Sequence, residues 1–200
     1  SGDWIISTST VVENEYLIIN GSINIEYNKN LEIINSTLVI NGGLTGQGKN
    51  GFKLVNSKIY LNGSEPNGFI VKAHKKTIHI ENSKILNKTS VYNYFIFKYG
   101  NITLKNVELR GFGHPDHHPN MFYINRQDYP NNYVYLENVH IHQISKYIKF
   151  QQINRATVNN LTMSELTENT MPLYLNDVNN AVFNNTKYVI DVHYSKPDVV

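Results

Sequence analysis

The residues best suited to chemistry lie in one stretch from Gly111 to Asn120, where His114, Asp116, His117 and His118 are nearly contiguous. Imidazole nitrogens with a carboxylate suit a borderline divalent metal. Adjacent histidines do not readily turn to one ion, and Pro115 and Pro119 favour an extended loop, so a solvated polar loop is the competing reading. A metal there would serve as a clamp or a contact between subunits, because no general base accompanies it. No other cofactor is expected.

Cleavage of a glycosidic bond normally needs two carboxyls facing each other across the substrate. The outward residues of the strands described below carry none. Asp128 and Asp177 fall in separate turns, and Arg126 and Arg155 lie near them without a matching cluster. The glycine-rich run Gly42 to Gly48 lacks the lysine-serine/threonine pair of a phosphate cradle and reads as a turn. With no cysteine, disulfides and thiolate chemistry are excluded. The expectation is a protein that is not an enzyme.

The elements that position these residues form a repeat. Around an asparagine, the residues four and two before it and three after it are apolar, with mostly polar residues between them. The frame fits at Asn20, Asn35, Asn56, Asn82, Asn106, Asn138, Asn160 and Asn185. At the first of these it takes Tyr16, Ile18 and Ile23; at Asn56 it takes Phe52, Leu54 and Ile59. Alternation before the asparagine is the mark of a strand with one buried face, and the broken parity after it requires a bend. Asparagine tolerates the left-handed backbone such a bend needs. The spacing, a mean of about 25 residues from Asn35 to Asn185, lies in the range of solenoids. The pattern predicts an all-β parallel β-helix of about eight rungs with an asparagine ladder.

This repeat resembles the right-handed parallel β-helix of the pectate-lyase-like superfamily, whose members often carry an asparagine ladder at the tight turn between their second and third sheets. The composition is similar to that of archaeal-type surface β-helix proteins. The resemblance implies the fold; the superfamily spans lyases, hydrolases, tailspikes, adhesins and surface-layer proteins, so it implies no single activity. Its polysaccharide-cleaving members place their active sites on the sheet equivalent to the third strand here.

That third strand is predicted at Phe69 to Lys72, Phe95 to Lys98, Phe122 to Asn125, Ile148 to Gln151 and Leu173 to Asn176. Alternation gives one outward column of Lys72, Lys98, Asn125, Gln151 and Asn176, and a second containing Tyr123 and Tyr174. Lysines and flat tyrosine rings make this the candidate binding face, for sugars or another chain. Residues 1–200 are expected to form one domain: 1–15 as N-terminal cap, 16–185 as rungs, and 186–200 as C-terminal cap or tail.

Seven Asn-X-Ser/Thr sequons, at Asn20, Asn35, Asn62, Asn87, Asn101, Asn160 and Asn184, point to an exported protein bearing N-glycans. Asn62, Asn87 and Asn101, in connecting segments, are the favoured acceptors. The net charge of +2 comes from scattered lysines, which argues against a nucleic-acid groove, and no stretch reads as a membrane span. The expected function is a glycosylated structural subunit of a cell-surface layer, sheath or extracellular filament. It would associate with copies of itself through its ends or faces. The alternative is a carbohydrate-binding or polysaccharide-processing module.

Overall fold

A computed structural model describes the backbone of residues 2–63, 68–88, 95–112, 122–123, 127–144, 148–166, 173–186, 190–193 and 196–199, with the side chains of 112, 144, 166, 190–193 and 196–199 left aside. The chain is a parallel β-solenoid with no helix among these residues. One coil shows the plan. Asn30–Ile34 forms a first face, the chain bends at Asn35, Thr37–Ile40 forms a second, and Leu44–Gly46 a third. Gly51–Val55 then lies parallel on Asn30–Ile34, with Leu31 beside Phe52 and Ile33 beside Leu54. In later coils the first two faces join into single bent strands, Thr77–Asn87, Asn101–Phe112, Val134–Ile144 and Ala156–Leu166.

Alternation fills the interior, as the sequence pattern predicts. Leu31, Ile33, Leu54, Ile78, Ile80, Leu104, Leu136 and Val158 are fully buried. Behind the third face runs a phenylalanine column: Phe69 stacks on Phe95 at 5.1 Å, Phe97 on Phe122 at 5.8 Å, and Phe122 lies 4.8 Å from Phe150. Here the register departs from expectation. Phe122 pairs with Phe97 and Phe150 rather than with Phe95, so Tyr123, not Asn125, joins the column of Lys98 and Gln151. Phe95 and Phe97 both face inward, so a two-residue shift leaves the alternation intact, and periodicity cannot detect it.

The asparagine bends are left-handed, with φ of 49° at Asn35 and Asn56, 50° at Asn82, 53° at Asn106, 52° at Asn138 and 55° at Asn160. Their side chains form a continuous ladder in which each Nδ2 donates to the Oδ1 one coil earlier. The distances are 3.3 Å for Asn56 to Asn35, 3.3 Å for Asn82 to Asn56, 2.8 Å for Asn106 to Asn82, and 2.9 Å for both Asn138 to Asn106 and Asn160 to Asn138. Asn185 keeps the left-handed turn, at 54°.

Asn20 is not in this column. The first bend is Asn14, with φ of 58° and its N–H on Ile34 O, the bond that Asn35 repeats to Val55 O. Tyr16 and Ile18, expected inside, are 65% and 59% exposed, while Ile19 is buried. Tyr16 to Ile19 is apolar throughout, so the sequence left two parities open, and a one-residue slip exchanged inside for outside. The coil makes about six turns rather than eight. Residues expected to cap the start are strands of the first coil, Trp4–Ile6 and Thr10–Glu13, with Trp4 and Leu17 packed against the end of the core.

A buried serine column follows the early bends. Ser36, Ser57 and Ser83 each donate to the carbonyl two residues back, at 2.7, 2.7 and 2.6 Å. Each hydroxyl oxygen accepts a backbone N–H from the preceding coil, from Glu15, Ser36 and Ser57, all at 3.0 Å. Every hydroxyl of this column is therefore satisfied, as burial requires.

Asn82 separates the two jobs of a ladder residue. Glycine there keeps the left-handed backbone and loses only the amide bonds; alanine loses both. In denaturant melts, Asn82→Ala should be about 1–2 kcal/mol less stable than Asn82→Gly, the cost of a left-handed residue with a Cβ. Equal losses would show that the amide bonds alone hold the bend.

Candidate functional site on the third face and its corner

The outward column of the third face reads Lys72, Lys98, Tyr123, Gln151 and Asn176 in successive coils. Beside it, Tyr174 pairs with Lys149. Asn125 lies outside the described residues. The Lys98 ammonium sits 5.7 Å from the centre of the Tyr123 ring, and that of Lys149 lies 5.5 Å from Tyr174. Burial, and for Lys98 the charge of Lys72, lowers the pKa of both lysines. Gln151 Oε1 is buried without a hydrogen-bond partner among the described residues.

The corner that follows this face holds a group the sequence reading missed. Its turns contain Lys49 at φ 50°, His74 at 34°, Lys75 at 72° and Tyr99 at 66°. A tyrosine in this region is strained, and the fold holds it through backbone bonds from Lys75 N to Tyr99 O and from Tyr99 N to Tyr123 O. The strain aims rings at one another. His74 and Tyr99 lie 4.4 Å apart, Tyr99 and Tyr123 5.2 Å, and Tyr99 and Tyr129 6.2 Å. His74 Nδ1 is 3.0 Å from the Tyr129 hydroxyl. Gly48, at φ +147°, passes directly under Tyr27 and His74; a Cβ there would lie 3.4 Å and 3.7 Å from them. The available signal was an aromatic or histidine soon after each third-face lysine, in Lys72-Ala73-His74 and Lys98-Tyr99.

The electrostatics follow from burial and nearby cations. Desolvation, then Lys49 and Lys72, pushes the His74 pKa down. Burial first, then Tyr123 and Tyr129, raises that of Tyr99, and burial with Asp128 raises that of Tyr123. The site thus offers neutral aromatic and imidazole faces beside half-buried ammoniums. Its outward columns from Ile70 to Asn176 carry no carboxylate among the described residues, so no acid–base pair spans them.

A second cluster lies on the second face. His142 Nε2 is 3.1 Å from Glu108 Oε1, its Nδ1 3.8 Å from Glu165 Oε2, and Lys84 pairs with Glu108. His140 stacks on His142 at 4.8 Å and meets Ser164 Oγ at 2.9 Å. Burial pushes the Glu108 carboxyl up, but hydrogen bonds and charge from Lys84 and His142 outweigh it and hold the pKa below the usual value. This is a ladder of ion pairs, and no group of three or more metal-binding side chains occurs among the described residues. His114, Asp116, His117 and His118 lie outside them.

The sequons divide by exposure. Asn20, Asn35, Asn62 and Asn160 are exposed, and Asn101 and Asn184 are half-buried. Asn160 Nδ2 is already in the ladder, and Asn184 Nδ2 donates to Asn159 Oδ1 at 2.8 Å. Asn87 overturns its expectation as an acceptor: it is 2% exposed and its Nδ2 donates to Gly111 O at 2.9 Å. The period placed it in a connecting segment, whereas it ends the strand Thr77–Asn87 facing inward.

No protein-family model, no curated protein and no solved structure matches this chain. No helix among the described residues is long and apolar enough to cross a membrane. What fold and site define together is a parallel β-solenoid with an aromatic and cationic corner.

His74 supplies a check on the corner. Its folded pKa is depressed below 6.5, so in the acid range the unfolded chain binds a proton that the folded chain resists. This contribution is complete above about pH 6.5 and is lost as pH falls through the folded value. Thermal melts across that range should show a smaller loss for His74→Asn than for the parent chain.

Proposed function

We propose that the protein is an exported structural solenoid that associates with copies of itself through its first coil. One observation carries this reading. Of the five large hydrophobics exposed among the described residues, Tyr27 follows Ile23–Ile25 in the second coil, while Ile5, Val11, Tyr16 and Ile18 lie on strands of the first. The same coil has strands paired on one side only: Trp4–Ile6 with Ile23–Ile25, Thr10–Glu13 with Leu31–Ile34, and Tyr16–Ile19 with Thr37–Ile40. An unpaired strand edge is a template for another strand, and an apolar rim favours its burial. The fitting occupant is a strand edge of the same curvature and three-faced outline, which a second copy supplies. Contact between equal ends closes a dimer; contact between unlike ends propagates a filament.

Export and N-glycosylation are part of the same proposal, supported by the exposed sequons at Asn20 and Asn62. The likeness to the pectate-lyase-like superfamily, and to its archaeal-type surface members, is likewise proposed. It rests on the left-handed asparagine bend between the first and second faces.

The test is electron microscopy and light scattering of the parent chain and of a Val11→Glu, Ile18→Glu double variant. Both positions are exposed, so the variant should fold. Ordered assemblies from the parent and monomers from the variant are expected; a parent that stays monomeric at high concentration would sink the proposal.

A second reading, a carbohydrate-binding face, is favoured by the ring group of His74, Tyr99 and Tyr123 beside Lys98. In a glycan array, Tyr99→Ala or Tyr123→Ala should each weaken any sugar binding by roughly tenfold, the worth of one well-placed ring. Binding that survives both changes would move the site elsewhere.

A further inference from the structure

Asn20, Asn41 and Asn62 form a second asparagine column, at the corner between the second and third faces. Ile19, Ile40 and Leu61 pair in register just before them, and Asn41 N donates to Ile19 O at 2.9 Å as Asn62 N does to Ile40 O at 2.8 Å. All three are exposed, and each precedes a glycine, Gly21, Gly42 and Gly63. The glycines at the first two are required by close packing: a Cβ on Gly21 would lie 2.4 Å from Asp3 Oδ1, and one on Gly42 2.3 Å from Ser22 Oγ.

Asparagine followed by glycine is the pair most open to ring closure, because no side chain shields the attacking nitrogen. The glycine N attacks the asparagine Cγ, and the side-chain nitrogen leaves as ammonia with the displaced proton. A succinimide remains. Water then adds to either carbonyl, giving aspartate or an isoaspartate whose side-chain methylene has entered the backbone. Water is the only co-reactant.

The chain contains its own control. Asn50 precedes Gly51 but is fully buried. Its Oδ1 accepts from Gly48 N at 2.7 Å, and its Nδ2 donates to Glu26 O at 2.6 Å and Lys29 O at 3.0 Å. The nucleophile is also engaged, since Gly51 N donates to Asn30 Oδ1 at 3.0 Å. At Asn41 the only side-chain bond is Nδ2 to Asn20 Oδ1 at 3.2 Å, and Gly42 N donates to no described residue.

We propose that Asn41, the member of this corner outside any sequon, deamidates spontaneously in the folded protein, and that its conversion is structurally decisive. Conversion there removes the one N–H that the Asn20 side-chain oxygen accepts among the described residues and sets a carboxylate against that oxygen. An isoaspartate also lengthens the backbone at Gly42, where Ser22 and Gly21 leave no room. The first two coils, which carry the exposed apolar rim, therefore loosen with age.

The experiment uses the full chain made without glycans, held folded at mildly alkaline pH and, in parallel, in denaturant. Peptide mapping reads the conversion of each amide to an acid. In the folded sample Asn41 should convert at least about tenfold faster than Asn50, whose reaction waits on local opening, while in denaturant the two rates should converge. The melting temperature should fall with incubation in the parent and hold steady in Asn41→Ser. Equal rates for Asn41 and Asn50 in the folded chain would overturn the proposal, as would an Asn41 that converts only in denaturant. A parent melting temperature that stays constant while Asn41 converts would overturn its decisive role.

Discussion

Outside the turns, backbone hydrogen bonding in this chain runs from one coil to the next, so each side chain must tolerate its equivalent about 4.8 Å away. That spacing selects residue types by column. Asparagine stacks because its amide offers a donor on one side and an acceptor on the other, and the ladder from Asn35 to Asn160 uses both. Phenylalanine stacks because offset rings fit the same interval, which is why the third face is backed by Phe69, Phe95, Phe97, Phe122 and Phe150. Serine stacks only because each hydroxyl receives one backbone N–H and returns its proton to a carbonyl two residues back.

The constraint is harsher for charges. Like charges directly opposite destabilise a strand pair, and most outward columns avoid them. Lys53 meets Glu32 at 3.3 Å, Lys105 meets Glu137 at 3.3 Å, and Lys84 meets Glu108. The rule is broken where Lys58 stands beside Lys84 on the second face and Lys72 beside Lys98 on the third. Neither pairing helps folding; the Lys98 pKa is lowered by burial first and by the Lys72 charge second. Strained His74 and Tyr99 lie around the same corner, so a like-charge pair and left-handed ring-bearing residues meet there. That coincidence, rather than a catalytic pair, sets this corner apart from the satisfied ion pairs of the second face.

Much of this was legible in the sequence, and the reason is the stacking itself. A column repeats one chemical requirement in every coil, so Asn56, Leu54 and Ile59 announce their neighbours' environment as well as their own. Legibility failed where a column does not identify itself by type. The run Tyr16 to Ile19 is apolar at every position, so alternation had no contrast to read. Phe95 and Phe97 are interchangeable inward residues, so the register of Phe122 depended on ring packing. Asn87 looked like a loop acceptor because nothing local says that Gly111, at φ +78° with room for no Cβ, receives its amide. The corner rings were missed for a related cause: turns obey no period, and His74, Tyr99 and Tyr129 meet only because coils of different length bring them together.

The ends are where the stacking requirement goes unmet. Every interior coil presents its neighbours with a matching set of donors, acceptors and apolar faces, so exchanging one interior coil for another changes little. The first coil has this match on one side only. Trp4 and Leu17 cover its core, which explains why Ile6, Val12 and Ile19 stay buried there. They do not cover the strand edges, and Ile5, Val11 and Ile18 point away from the core they could have joined. Charge or proline at edge positions is the usual defence against pairing. Ile5, Val11 and Ile18 occupy those positions instead, so these edges combine unpaired backbone with exposed apolar surface.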